Sequence, residues 1–405
     1  MLPALLVAIS CGNSPALRAE EKAVENPVAG IVPVTEKTAE ETATQPEETG
    51  SPGGIAWGPW RLGGALRGNY TYGDYPGTAG PSRGSRGGNF ELDTFRLNLD
   101  AKYNGWISSA EYRWYDGYNF VHHLWAGYAD EANRVEIGVT RAPFGPGDYG
   151  VSQSWFFDQH YYVGLSDDMD LGVKYTRQAG DWTLDAAYFA RSEWNGNGAS
   201  RDSARYSYDV VKTDTGGYAE EHQFNLRAIH HWQGDGWSVD AGASGRFGLL
   251  DGRGGEEGHH YAASLHTVAK HGNWTLAAQA TRYEYSLSDN AELVPMGAYD
   301  YAADVAAKAW ILAASLSYHL ETPGIGFLDY VVPYVEYSSI IKDERGFNNS
   351  DLLVIGAAWA SGGWYIYTDV AFSDGNFFVG NKGDFGANAD DGWQYRININ
   401  LGYYF

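Results

Sequence analysis

The residues able to do chemistry in this chain fall into two sets of opposite charge. The acidic set is compact. The stretch APFGPGDYGVSQSWFFDQHYYVGLSDDMD, beginning at Ala142, holds Asp148, Asp158, Asp167 and Asp168 and no Lys or Arg. The basic set is dispersed. Arg67, Arg96, Lys102, Arg113, Lys174, Arg191, Arg227, Arg246 and Arg396 each occupy the polar side of an alternating run. Asp100, Glu111, Glu136, Asp185, Asp240, Glu336 and Asp369 share that side. Carboxylates facing guanidiniums across a water-filled space set a transverse field that sorts small ions and polar solutes. Pairs such as Glu111 with Arg113 only tune passage, since solvated ion pairs are worth about 0–1 kcal/mol. The metalloprotease signature HExxH is missing. Three His-His pairs (His122-His123, His230-His231, His259-His260) invite a metal reading. Adjacent residues of a strand point to opposite faces, so one pair cannot chelate one ion. No ligand set with metal spacing is visible, and no cofactor is implied.

The elements that must position these residues repeat every two residues. WQYRININLGYYF puts Trp393, Tyr395, Ile397, Ile399, Leu401, Tyr403 and Phe405 on one face and Gln394, Arg396, Asn398 and Asn400 on the other. TFRLNLDAKY and GDWTLDAAYF alternate in the same way. No amphipathic helix is available to cover so many apolar faces. Lipid can cover them, provided every backbone group is paired, and that requires a closed barrel. About sixteen alternating segments are counted. Their expected starts are Arg61, Phe90, Trp106, Phe120, Arg134, Asp170, Asp181, Gln223, Gly236, His259, Trp274, Lys308, Leu328, Leu352, Trp364 and Trp393. Connectors after even-numbered strands are mostly tight, such as NG at Asn104 and DEAN at Asp130. After odd-numbered strands most are long: 74–89, 143–169, 194–221 and 374–392. That asymmetry is expected of short periplasmic turns and long extracellular loops. Trp106, Trp182, Trp237, Trp274 and Trp364 each follow a tight turn, as an aromatic girdle at the membrane boundary requires. The fold class is therefore all-β: a transmembrane antiparallel barrel. Alternation makes Leu184→Arg harmful to assembly and Asp185→Arg tolerable. The limits between Tyr299 and Leu320 are less defined, and Pro333 predicts an interrupted ladder.

Composition agrees. Among 405 residues, 30 Tyr, 15 Trp and 52 Gly accompany a formal charge of −23, which excludes nucleic-acid binding through a general basic surface. Cys11 is the single cysteine, so the body can hold no disulfide. Residues 1–19 read as a signal peptide cut after Ala19. A second reading treats AISC as a lipoprotein signal with Cys11 lipidated. Residues 20–55, rich in Glu, Thr, Ala and Pro, read as a disordered acidic linker, and 56–405 as the barrel domain.

Several segments resemble the phosphate-selective porin O and P family of bacterial outer membranes. They are RLGGALRGNY from Arg61, RLNLDAKYNGWISSAEYRWYDG from Arg96, VEIGVTRAPFG from Val135, and DLGVKYTRQAGDWTLDAAYFARSEWNGNG from Asp170. Beyond about residue 200 only the general barrel pattern continues, ending at Phe405, which resembles the terminal assembly signal of such barrels. The resemblance implies a Gram-negative outer-membrane homotrimer whose third loop, residues 143–169, folds inward. Lipid, lipopolysaccharide and the barrel assembly machinery are the implied partners. The family's anion-binding arginines do not align with this chain residue by residue. The expectation is a weakly selective diffusion channel for small hydrophilic solutes and ions, tilted toward cations by its loop acids. A phosphate- or anion-selective porin, an enzymatic barrel and a non-conducting adhesin remain as alternatives.

Overall fold

The computed structural model describes residues 54–405 except 74–87, 201, 215, 254, 289, 377 and 380–391. The expected signal peptide and most of the expected linker lie outside the described residues. Sixteen antiparallel strands form the barrel: β1 (Trp60–Gly73), β2 (Asn89–Tyr103), β3 (Trp106–Trp114), β4 (Asn119–Ala129), β5 (Asn133–Arg141), β6 (Met169–Ala179), β7 (Trp182–Ser192) and β8 (Gly216–Gly234), then β9 (Trp237–Gly252), β10 (Glu257–His271), β11 (Trp274–Leu287), β12 (Lys308–Tyr318), β13 (Tyr330–Lys342), β14 (Ser350–Ser361), β15 (Trp364–Asp374) and β16 (Gln394–Tyr404). Each pairs with its sequence neighbour. The ring closes where β1 meets β16, from Ala65 opposite Tyr404 to Gly73 opposite Arg396. Phe405 completes the seam by exchanging backbone hydrogen bonds with Gly64 at 2.8 and 2.9 Å. Closure leaves no open edge, the condition for backbone in lipid.

The outer surface carries the apolar residues of the alternation. Leu226, Leu265, Leu312, Ile355 and Leu401 are exposed. Arg396, Asn398 and Asn400, on the opposite face of β16, are buried inside. Trp106, Trp182, Trp237, Trp274 and Trp364 are exposed first residues of their strands, each directly after a two-residue turn. Each packs on the aromatic ring paired with it across the ladder: Tyr128, His230, His271, Tyr318 and Tyr403, with centroids 4.5–5.8 Å apart. Cross-strand aromatic pairs at a wet boundary favour this register. Left-handed backbone at Asn104-Gly105 and Asp235-Gly236 provides the tight reversals. At DEAN, Asp130 Oδ1 accepts from the backbone N–H groups of Ala132 and Asn133 at 2.9 and 2.8 Å. Those bonds hold the Asp130 carboxyl below its usual range.

The expected strand starts lie within two residues of those observed, Gln223 excepted. β8 begins at Gly216, and a bulge between Glu221 and Phe224 hides its first turn from a period-two pattern. A bulge between Leu171 and Gly172 has a larger effect. It leaves Ala190 unpaired and turns Arg191 outward, opposite Leu171, so Arg191 does not face the lumen as alternation predicts. A third bulge, at Glu111/Tyr112, leaves His122 and His123 both buried, with Nδ1 atoms 2.8 Å apart; the opposite-face argument fails for that pair. At Pro333 the ladder to β12 stops at Tyr334 and resumes at Val331, opposite Leu320. The residues before β12 form a hairpin, Leu293–Ala298 with Tyr301–Ala306, turning on the positive-φ pair Tyr299-Asp300.

Candidate functional site: the barrel lumen

Segment 142–168 is bonded to the inward faces of the strands across from it. Glu336 on β13 accepts from the backbone N–H of Gln153 and from the hydroxyls of Ser152 and Ser154, both at 2.9 Å. Asp369 on β15 accepts from Trp155 N–H at 3.0 Å and from the Tyr334 hydroxyl at 2.5 Å. Ser244 on β9 accepts from Gly145 N–H at 3.1 Å, and Ser315 on β12 donates to the Val151 carbonyl at 2.5 Å. His160 bridges Asp158 and Thr281 of β11, 2.8 Å from each. A loop in this position buries backbone polar groups, which must find partners. Wall carboxylates and hydroxyls supply them. The apolar part seats on Phe378, with the Arg396 guanidinium over the rings of Trp155, Phe156 and Phe378 at 4.6–5.3 Å.

The four expected loop acids do not project as a free negative patch. Asp148 is bonded to Arg141, as is Asp167 at 2.9 Å; Asp167 also accepts from the Tyr206 hydroxyl. Asp158 accepts from Val151 N–H at 2.9 Å and His160 N–H at 2.7 Å. Asp168 pairs with Arg246 at 3.2 Å. Only Asp148 among the four keeps a substantially exposed side chain, at 34%.

The wall residues sort differently. Arg67, Arg134, Lys174 and Arg227 are inward and partly open, and each sits above a carboxylate that is more deeply buried. The side-chain exposures are 32% against 3% for Arg134 and Glu136, and 18% against 1% for Arg227 and Asp185. They are 18% against 10% for Arg67 and Asp93. Asp240 accepts from His231 Nδ1 at 2.7 Å. Arg96 and Arg113 are buried on either side of Glu111, with Arg113 4.4 Å over the Tyr206 ring. Arg246 is buried and donates to the Gly164 carbonyl at 2.6 Å and to the Tyr285 hydroxyl at 2.8 Å. At Gly164 the loop tolerates no side chain. Gly164 has φ +67°, and a Cβ there would lie 2.3 Å from the Tyr208 carbonyl oxygen. Gly164→Ala is expected to loosen the loop, with about 1–2 kcal/mol from left-handed strain alone. Noisier open-channel current from a normally folded barrel would be the sign.

Sequence reasoning missed a second inner segment. Residues 193–215 bring Glu193, Arg205 and Asp209 against Asp168 and Asp170, with Glu220 of β8 beside them; all six are buried. Burial and the nearby Asp209 hold both Asp168 and Glu193 well above the usual carboxylate range. The only sequence trace is the DDMD run, whose i and i+2 acids share a side of an extended chain.

No family profile matches the chain, and no curated protein matches it. Solved structures do. The barrel is similar to an anion-selective porin from Comamonas acidovorans, with 12% identity over 85% of this chain and 99% of that one at a TM-score of 0.56. It is similar to Salmonella typhi OmpF in complex with daunomycin, with 12% identity over 87% and 100% at a TM-score of 0.56. It is also similar to the Vibrio cholerae outer membrane protein OmpT in its trimer form, with 14% identity over 85% and 99% at a TM-score of 0.55. The shared property is the fold: an integral barrel of the outer-membrane type. The narrower resemblance to phosphate-selective porins rests only on the residues that carry it.

Proposed function

We propose that this chain is an outer-membrane channel for passive diffusion of small hydrophilic solutes and ions. In this reading segment 142–168 narrows the pore, and anions are favoured over cations. The supporting observation is the way inner charge is divided. Carboxylates hold the loop or lie beneath basic residues, while the ends of Arg67, Arg134, Lys174 and Arg227 remain open to the lumen. A solute then meets a positive field. This reverses the cation tilt expected from the loop acids, because those acids are paired. The similar structures include an anion-selective porin and an outer membrane channel from Acinetobacter baumannii, which fits a channel better than an enzyme. One of them is a trimer, and the exposed apolar wall would accept two further copies as readily as lipid.

The test is the reversal potential across a planar bilayer separating two potassium chloride concentrations. The expected sign is that of chloride preference, with Arg134→Glu plus Lys174→Glu shifting it toward potassium. Cation preference in the unaltered protein would overturn the reading.

A further inference from the structure

We propose that Asp168, Asp170 and Asp209 bind a divalent cation of the calcium class, which staples two inner segments to the barrel wall. The three residues come from the end of segment 142–168, from β6 and from segment 193–215. One carboxylate oxygen from each lies within 4.8 Å of the others. Each residue has one oxygen held by a donor: Asp168 by Arg246 at 3.2 Å, Asp170 by Gln223 Nε2 at 2.8 Å, and Asp209 by Arg205 at 2.9 Å. In all three the second oxygen, Oδ1, has no hydrogen-bond partner among the described residues. Glu193 and Glu220 stand beside them, so five carboxylates face two guanidiniums. Ionised together they would carry three excess negative charges, two of which a divalent ion would offset.

Neutral side chains point to a ligand independently of the acids. Gln223 is 2% exposed; its Nε2 donates to Asp170, and its Oε1 has no hydrogen-bond partner among the described residues. Asn225, two residues further along the inner face of β8 and in register with Arg246, is 1% exposed with neither amide atom partnered. Buried amides left unsatisfied are costly and need an explanation. An oxygen-only, carboxylate-rich set suits a hard cation. Calcium accepts six to eight oxygens at about 2.3–2.6 Å, so two of its ligand oxygens lie at most about 5 Å apart, a limit that the three oxygens here keep. Magnesium demands a regular octahedron and keeps its waters, which a buried cluster does not favour.

The experiment uses the full chain folded in detergent with terbium ions as the probe, excited through tyrosines such as Tyr208, next to Asp209. The expected result is saturable terbium emission displaced by calcium but not by equal magnesium. It should be at least severalfold weaker in Asp170→Asn/Asp209→Asn. Calcium should raise the melting temperature of the unaltered protein and leave the variant unmoved. With chelator present the variant should melt no lower than the unaltered protein, since it carries less uncompensated charge; this separates lost binding from misfolding. Equal emission from both proteins, equal displacement by magnesium, or no calcium effect on melting would overturn the proposal.

Discussion

Replacing Glu336 and Asp369 together with alanine is expected to raise single-channel conductance and to make it fluctuate. Glu336 is the shared acceptor for one backbone N–H and two hydroxyls at the middle of segment 142–168, and Asp369 takes the N–H of Trp155, two residues beyond Gln153. Each buried donor left without a partner costs about 1–3 kcal/mol. The double replacement strands three or more, so detaching the segment becomes favourable. The strand ladders are untouched, since both side chains point inward from β13 and β15. Glu336→Gln keeps an acceptor oxygen and should show a smaller change. Unaltered conductance in the double variant would mean that the segment does not set the width of the pore.

Leu226→Arg is expected to impair folding into lipid. Leu226 is 64% exposed on the outer face of β8, four residues from His230, which packs on the girdle residue Trp182. That places it toward the middle of the apolar belt, where an arginine costs about 2–4 kcal/mol. Leu184→Arg, only two residues from Trp182, should cost less, because a long side chain there reaches the headgroups. Denaturant titration in lipid vesicles reads both changes, and equal effects would contradict the assigned depth. Asp185 is not the tolerant neighbour that alternation suggests. It accepts from Arg227 at 2.8 Å and from Thr176 at 2.6 Å, so Asp185→Arg places two guanidiniums together.

Much of the barrel is legible in the chain because lipid enforces a two-residue period and tight turns carry their own signature. The glycine turns before Trp106, Trp182, Trp237, Trp274 and Trp364 fix five strand starts and one end of the barrel. What alternation cannot show is a bulge, since one extra residue inverts every inward assignment beyond it. Arg191 and the His122-His123 pair were misplaced for that reason. The lumen was legible only in part. The wall positions Arg227, Arg246 and Arg396 follow from parity alone. The partners of the loop acids do not, because Arg141 and Tyr206 meet Asp167, and Arg246 meets Asp168, through contacts remote in sequence. Asp209 lies in a segment with no period, and nothing local ties it to Asp168.

The most direct test of the account is planar-bilayer recording of the purified full chain. Stepwise current increments, with linear current–voltage curves, are the predicted result. A protein shown to be folded and inserted that produces no increments at any voltage would contradict the claim that this barrel is a water-filled channel.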